Sequence, residues 1–144
     1  MSDDLYQQQI LQHARDETNR GRMDDADATA TVDNPMCGDR VTVDVKLSNG
    51  TVAAIVHHTR GCVLCSASAA VLASQAKGQT VGELEAVAAW LNRLLKDDGD
   101  AEPAPHWQDL AIFGPVAKHR SRHACVLLPF DAATQALTEG RPQA

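Results

Sequence analysis

Aromatic residues are scarce in this chain: its 144 residues include two tryptophans, two phenylalanines and one tyrosine. A buried core must therefore be built mainly from alanine, valine, leucine and isoleucine. Long apolar runs are missing too, and none approaches the roughly 20 residues that a membrane-spanning helix needs. The first seven residues are acidic where a signal peptide would be basic and then apolar. We therefore expect a cytoplasmic protein without membrane attachment.

A surplus of basic charge is also missing. The formal net charge is −6, whereas nucleic-acid-binding domains usually carry a basic surplus, so nucleic acid is not an expected partner. The chain has four cysteines. Thiols stay reduced in the cytoplasm, and cysteines there are more readily metal ligands or reactive groups than structural disulfides.

A β-hairpin is the clearest structural prediction. Residues 41–47 alternate between apolar and polar, which is the period of a half-buried strand. Asn49-Gly50 then predicts a type I′ turn, and residues 51–59 return as the partner strand. The alanine-rich residues 66–77 follow and predict a buried helix.

Helices dominate the rest of the chain. Thr80 and Glu83 have the spacing of a capping box, which predicts a helix to about Lys96. Further helices are expected over residues 5–17, 108–113 and 123–137, with an acidic linker over 97–105. Pro129 should lie near the first turn of the last helix, because proline is poorly tolerated further in. Strands followed by helices indicate an α+β fold: a small antiparallel sheet of about three strands with helices on one face.

Three separate patches carry potential metal ligands: Cys37-Gly38-Asp39, Gly61-Cys62 and Cys125. Each lies beside a predicted element boundary, so one fold could bring them together. Their thiols and one carboxylate match the ligand count of a closed tetrahedral site. Each cysteine alone could equally be an ordinary buried residue. Taken together, they make a zinc ion or an iron–sulfur cluster the first hypothesis.

These patches resemble the motifs of the IscU/NifU-like scaffold proteins of iron–sulfur cluster assembly, and more closely the SufU-type branch. The first matching motif is Asn34-Pro35-x-Cys37-Gly38-Asp39, and the second is Gly61-Cys62 before a helix of small residues. The third is Cys125, with Arg122 three residues before it. The 63 residues from Cys62 to Cys125 match the longer connection of SufU-type proteins. The resemblance implies a single SufU/IscU-like domain over residues 1–144, with a SufE/NifU-like fold and an inserted helical segment around 80–110.

By this resemblance, Cys37, Asp39, Cys62 and Cys125 would hold one zinc ion. The family pattern further implies that Cys37 leaves the metal when a cysteine desulfurase of the SufS type docks. Cys37 would then accept sulfur as a persulfide, and Arg122 matches an arginine implicated in this exchange. The expected role is that of a sulfurtransferase-like accessory to the desulfurase, with downstream iron–sulfur assembly proteins as further partners.

Two alternatives use the same residues. One is a scaffold on which a [2Fe–2S] cluster is assembled and transferred, and the other is a structural zinc domain that mediates protein contacts. The chain also departs from the family pattern at two positions. Ala124 stands before Cys125 where the family has histidine or lysine, and His123 is more readily a surface residue than a substitute ligand. Cys65 replaces a small polar residue and is more readily a core residue than a ligand.

Overall fold

The computed structural model describes residues 2–36, 38–96 and 106–140. The position of Cys37 and the predicted linker over 97–105 lie outside these ranges. The order of elements is α1 (Ser2–Ala14), β1 (Ala28–Asn34), β2 (Asp39–Ser48), β3 (Thr51–Arg60), α2 (Val63–Gln75), α3 (Val81–Lys96) and α4 (His123–Gly140). Two 3-10 helices, Gln108–Lys118 and Arg120–Arg122, precede α4. No helix in the described ranges is long and apolar enough to cross a membrane.

The strands form an antiparallel sheet in the order β1-β2-β3. Asn49 and Gly50 join β2 to β3 with φ angles of 54° and 81°, and Ser48 pairs with Thr51 across the turn. Positive φ at both central residues is the type I′ geometry, so the predicted hairpin is confirmed. Strand β1 pairs with β2 over its whole length.

Helices α2 and α4 cover one face of this sheet. Val41, Val43 and Val45 of β2 are completely buried on that inner face. Because side chains alternate along a strand, Asp39 points to the same face at the beginning of β2. The predicted α+β arrangement is confirmed, and it places the first residue of β2 next to the helices.

On the outer face, a buried carboxylate fastens the segment before β1 to the sheet. Asp44 is 1% exposed, and it accepts hydrogen bonds from Arg22 Nε (2.6 Å), the Met23 N–H (3.1 Å) and the Thr29 hydroxyl (2.5 Å). Burial alone would raise the pKa of Asp44, but the hydrogen bonds from Arg22, Thr29 and Met23 outweigh it and lower that pKa. Asp44 therefore remains charged in the folded chain at neutral pH.

His57 lies on the inner face of β3, and its neighbour His58 is exposed, as expected for alternating strand residues. Burial lowers the pKa of His57 to about 4, and the positive charge of Arg20 acts in the same direction. Its Nδ1 lies 2.8 Å from the Thr59 hydroxyl. His57 is therefore neutral at neutral pH and behaves as part of the core.

The predicted capping box begins α3. The Thr80 N–H donates a hydrogen bond to Glu83 Oε1 (2.9 Å), and the Glu83 N–H donates one to Thr80 Oγ1 (3.1 Å). This reciprocal pair satisfies two backbone groups that the first helical turn leaves unpaired. The prediction of a helix from this point to Lys96 is confirmed.

The C-terminal part differs from the predictions in two respects. The expected short helix over 108–113 is a 3-10 helix that continues to Lys118 and contains Pro115. The expectation for Pro129 was wrong: α4 begins at His123, so Pro129 is its seventh residue and lies in the second turn. Proline there removes one N–H donor, but the flanking Leu128 and Phe130 are buried, and their packing against the core stabilises the continuing helix.

Candidate metal site

Three of the predicted ligands converge at one end of the inner face. One carboxylate oxygen of Asp39 and the sulfurs of Cys62 and Cys125 lie within 4.8 Å of one another. They come from three elements: Asp39 begins β2, Cys62 is the N-cap of α2, and Cys125 lies in the first turn of α4. Asp39 and Cys125 are 3% and 4% exposed, whereas Cys62 is half-buried. The group is therefore enclosed but open on the side of Cys62.

Asp39 is held against the beginning of α2. Its Oδ1 accepts a hydrogen bond from the Cys62 N–H (3.2 Å), and its Oδ2 lies 3.7 Å from the Cys62 sulfur. Helix α2 has no acidic residue in its first turn, and Cys62 provides no side-chain cap. Asp39 therefore supplies the negative charge that the positive end of a helix favours. The hydrogen bond from the Cys62 N–H also orients the Asp39 carboxylate toward the thiols of Cys62 and Cys125.

Gly61 makes this approach of Asp39 possible. A Cβ atom at position 61 would lie 2.6 Å from Asp39 Oδ1 and 2.7 Å from its Cγ, which is closer than van der Waals contact allows. In the sequence, Gly61 stands out only as part of a motif, which does not reveal this contact with Asp39. The signal that pointed to it was a glycine directly before a candidate ligand at the end of a strand.

We expect Gly61→Ala to displace the Asp39 carboxylate and weaken zinc binding by roughly 10–100-fold, the usual cost of disturbing a group that orients a ligand. Competition with a chromophoric chelator measures the affinity, and circular dichroism checks the fold. Gly82→Ala is the matched control, because its added Cβ would find its nearest neighbour at 3.9 Å. Equal zinc affinity of the Gly61→Ala variant and the unmodified chain would contradict this role.

A short loop precedes Asp39 and includes position 37 in the sequence. Asn34 pairs with Asp39 where β1 ends and β2 begins, which leaves four residues between them. The Asn34 carbonyl oxygen accepts a hydrogen bond from the Gly38 N–H (2.8 Å), and the Asn34 side-chain Oδ1 accepts one from the Met36 N–H (3.1 Å). Gly38 has a φ of 76°. The placement of Cys37 itself lies outside the described residues, so its ligation stays a prediction.

An open cleft of about 750 Å³ lies between this loop and the end of β3. Cys62 lines it, and so do the two arginines that face each other across β2 and β3, Arg40 and Arg60. The Arg40 guanidinium is bound to Asp33 at 2.6 Å. The cleft gives a molecule outside the protein a route to the half-buried thiol.

The other residues singled out in the sequence lie around this group. Arg122 is exposed and stands three residues before Cys125, and its catalytic role stays a prediction. His123 directs its Nε2 to the Ala117 carbonyl at 3.0 Å and is not part of the converging group. Cys65 is completely buried in the core, as expected of a core residue.

Two thiols and a carboxylate fit a zinc ion. Zinc is bound in proteins by cysteine sulfur, histidine nitrogen and aspartate or glutamate oxygen, usually with four ligands. Iron–sulfur clusters are held by cysteine thiolates, with histidine in some classes. A carboxylate such as that of Asp39 is therefore a more usual ligand of zinc than of an iron–sulfur cluster, and a zinc ion bound here would take three of its four ligands from the described residues.

Known proteins resemble this chain over most of its length. The family described as the NifU-like N terminal domain matches residues 5–101. The iron–sulfur cluster assembly scaffold protein IscU 1 of Archaeoglobus fulgidus is 33% identical over 97 residues, which are 64% of this chain. That match spans 63% of the relative's own length.

Two further similarities extend over nearly the whole chain. The zinc-dependent sulfurtransferase SufU of Bacillus subtilis is 25% identical over 130 residues, covering 90% of this chain and 87% of the relative. The crystal structure of the N-terminal part of a nitrogen-fixing NifU-like protein from Brucella abortus superimposes with a TM-score of 0.90 at 36% identity. That superposition covers 99% of this chain and 98% of the other.

Proposed function

Because the chain belongs to the NifU-like N-terminal domain family and has IscU and SufU proteins of iron–sulfur cluster assembly as homologues, we propose that it is a zinc-dependent sulfur acceptor. It takes sulfur from the persulfide of a cysteine desulfurase and passes it on to iron–sulfur cluster assembly. Cys37 is the accepting residue. Asp39, Cys62 and Cys125 hold the zinc ion, with Cys37 as the fourth ligand at rest.

The observation that carries this proposal is the position of Asp39. Its carboxylate lies within 4.8 Å of both thiols and is fixed there by the Cys62 N–H. Zinc accepts such a mixed ligand set, has no redox chemistry and keeps bound thiols deprotonated. The resemblance to the zinc-dependent SufU protein, which extends over 90% of this chain, supports the same choice.

The transfer step is a thiol–persulfide exchange. The Cys37 thiolate attacks the terminal sulfur of the desulfurase persulfide, and a new S–S bond forms on Cys37. The S–S bond on the desulfurase breaks, its cysteine leaves as a thiolate, and the proton of the terminal sulfur stays with that sulfur. No external oxidant or reductant is needed. Arg122, exposed three residues before Cys125, is proposed to assist this exchange.

A second candidate is a scaffold for a [2Fe–2S] cluster built on the same thiols. The observation in its favour is the 33% identity with the scaffold protein of Archaeoglobus fulgidus. Anaerobic reconstitution with iron and sulfide separates the two functions. A stable coloured cluster that is handed to an apo-protein favours the scaffold, whereas a zinc-loaded protein that gains sulfur favours the acceptor.

The proposal is tested by metal analysis and persulfide mapping. We expect one zinc ion per freshly purified chain and, after incubation with a cysteine desulfurase and cysteine, one added sulfur on Cys37 by mass spectrometry. Cys37→Ala should lose the added sulfur while part of the zinc remains on the other ligands. Cys65→Ala is the control and should still accept sulfur, because Cys65 is buried in the core.

Two results would contradict the proposal. One is a zinc-loaded chain that stimulates no desulfurase and gains no sulfur. The other is a Cys37→Ala variant that unfolds when it loses its metal, which would point to a structural zinc site.

A further inference from the structure

Helix α2 begins with two thiols, those of Cys62 and Cys65. Cys62 is the N-cap, and its carbonyl accepts a helical hydrogen bond from the Ser66 N–H (3.0 Å). The helix proper begins at Val63, so Cys65 is its third residue. The side chain of Cys62 makes no capping hydrogen bond to the helix. The two thiols therefore occupy the N-cap and the third position of one helical turn.

These two positions bring side-chain and backbone groups together elsewhere in the molecule. Thr80 is the N-cap of α3 and Glu83 is its third residue, and the Thr80 hydroxyl oxygen lies 3.1 Å from the Glu83 nitrogen. Residues three apart in a helix have Cα atoms about 5 Å apart, within the roughly 4.4–6.8 Å that a disulfide spans. A disulfide between the thiols of α2 can therefore close inside its first turn without moving another element.

The two thiols differ in exposure. Cys62 is half-buried and lines the open cleft, whereas Cys65 is completely buried directly behind it on the helix. Redox-sensing cysteines are often a solvent-accessible thiol with a second, resolving thiol beside it. Cys65 does not belong to the converging group of Asp39, Cys62 and Cys125, so metal binding by that group does not use its sulfur. Cys65 is therefore placed to act as the resolving thiol for Cys62.

We propose that Cys62 and Cys65 are a redox modification site, at which a hydroperoxide produces a reversible disulfide that removes Cys62 from the metal site. Disulfides in cytoplasmic proteins are usually transient and often redox-sensing. Formation of the disulfide does not depend on the proposed function. Only its consequence, the loss of a zinc ligand, rests on the zinc site of that proposal.

The reaction has two steps, written here for hydrogen peroxide. The Cys62 thiolate attacks one peroxide oxygen, the O–O bond breaks, hydroxide leaves, and Cys62 becomes a sulfenic acid. The Cys65 sulfur then attacks the Cys62 sulfur, the S–S bond forms and the S–O bond breaks. The departing hydroxide takes the proton of the Cys65 thiol and leaves as water. The two sulfurs together lose two electrons, and the peroxide gains them.

The disulfide leaves the converging group with fewer ligands. The thiolate is the form of cysteine that binds metals, so Asp39 and Cys125 are the members that remain. Asp39 keeps its hydrogen bond from the Cys62 N–H, because the backbone takes no part in the reaction. The disulfide lies within one turn and beside the cleft, and accessible disulfides are the more easily reduced ones. A dithiol reductant is therefore expected to restore the site by thiol–disulfide exchange.

Peptide mapping of the full-length, zinc-loaded chain tests the proposal. Trypsin cuts after Arg60 and Lys77, so Cys62 and Cys65 lie on one peptide and the other two cysteines on two further peptides. After brief treatment with hydrogen peroxide, we expect this peptide to lose the mass of two hydrogen atoms. Bound zinc, measured on the same sample with a chromophoric chelator, should fall in parallel. A dithiol reductant with added zinc should reverse both changes.

Two variants separate the possible disulfides. Cys65→Ala should lose the disulfide within the peptide completely, and its Cys62 should gain oxygen or link to another peptide instead. Circular dichroism checks that this variant is folded. Cys125→Ala removes a competing thiol, whose sulfur lies within 4.8 Å of that of Cys62, and it should still form the disulfide between Cys62 and Cys65.

Three results would overturn the proposal. The first is a main product that links Cys62 to Cys125 or Cys37, because the ligands would then oxidise one another and Cys65 would be a core residue only. The second is a peptide that keeps its mass while zinc is lost, and the third is a disulfide that forms while zinc stays bound. The proposed function is judged separately by the sulfur gained on Cys37, so either proposal can fail without the other.

Discussion

Replacing Cys62 with alanine is expected to weaken zinc binding by more than roughly 100-fold, because losing a ligand costs more than disturbing a residue that orients one. Cys62 is the half-buried member of the converging group and connects α2 to Asp39 through its N–H and its sulfur. The backbone hydrogen bond survives the substitution, so Asp39 should keep its place. Metal analysis measures the zinc bound per chain, and competition with a chelator measures the affinity of the variant for zinc.

Cys65→Ala is the matched control for this prediction. Cys65 lies on the same helix one turn further on, but it is completely buried and does not belong to the converging group. Its loss should leave zinc affinity unchanged and lower the free energy of unfolding modestly through a small cavity. The assignment of ligands is wrong if the Cys62→Ala variant keeps a tightly bound zinc ion, or if the Cys65→Ala variant loses it.

Replacing Asp44 with alanine is expected to lower the free energy of unfolding by about 3 kcal/mol. The substitution leaves the Thr29 hydroxyl and the Met23 N–H without their acceptor, and it removes the buried partner of Arg22. This loss of stability is not larger, as it could be on breaking a fully buried ion pair, because the Arg22 side chain is 57% exposed and can be hydrated. Urea unfolding at neutral pH measures the change.

The same prediction has a pH dependence. The folded chain lowers the pKa of Asp44 below its ordinary 3.8, so the unfolded chain binds the proton more readily. The stabilisation by Asp44 is fully present when the pH is above the ordinary pKa of 3.8. It is lost as the pH falls through the lower pKa that Asp44 has in the folded chain. Asp44→Ala should lack this part of the acid sensitivity.

Asp33→Ala is the control for Asp44→Ala. It removes an ion pair with Arg40 of similar length, 2.6 Å, but both of its side chains are more than half exposed. Exposed ion pairs contribute little to stability, so a small effect is expected. If the two alanine variants lose the same free energy of unfolding, the buried hydrogen bonds of Asp44 do not stabilise the fold more than an exposed ion pair does.

Local patterns were the part of the fold that could be predicted best. Asn49-Gly50 determines its own turn, and Thr80 with Glu83 determines the beginning of α3, because the interacting groups are at most three residues apart. No strand was assigned from the sequence to residues 28–34, which form β1. Its pairing depends on β2, and its composition of alanine, threonine and aspartate carries little strand signal by itself.

The convergence of Asp39, Cys62 and Cys125 was predicted from ligand types and family resemblance, not from any local pattern. Two other features of the fold could not be predicted in that way. Gly61 matters through a contact with a residue 22 positions earlier in the chain, and Asp44 through partners 15 to 22 positions away. Such long-range steric and polar contacts have no periodicity that a sequence alone displays.

The pairing of Asn34 with Asp39 couples the length of the loop that contains position 37 to the packing of the interior. Strand β2 is fixed in register by its tight turn to β3, and Asp39 points inward together with Val41, Val43 and Val45. A slip of one residue would turn every side chain of the slipped strand to the opposite face. A single insertion between Asn34 and Asp39 cannot be absorbed by sliding the strands, so the extra residue would have to be accommodated within the loop itself.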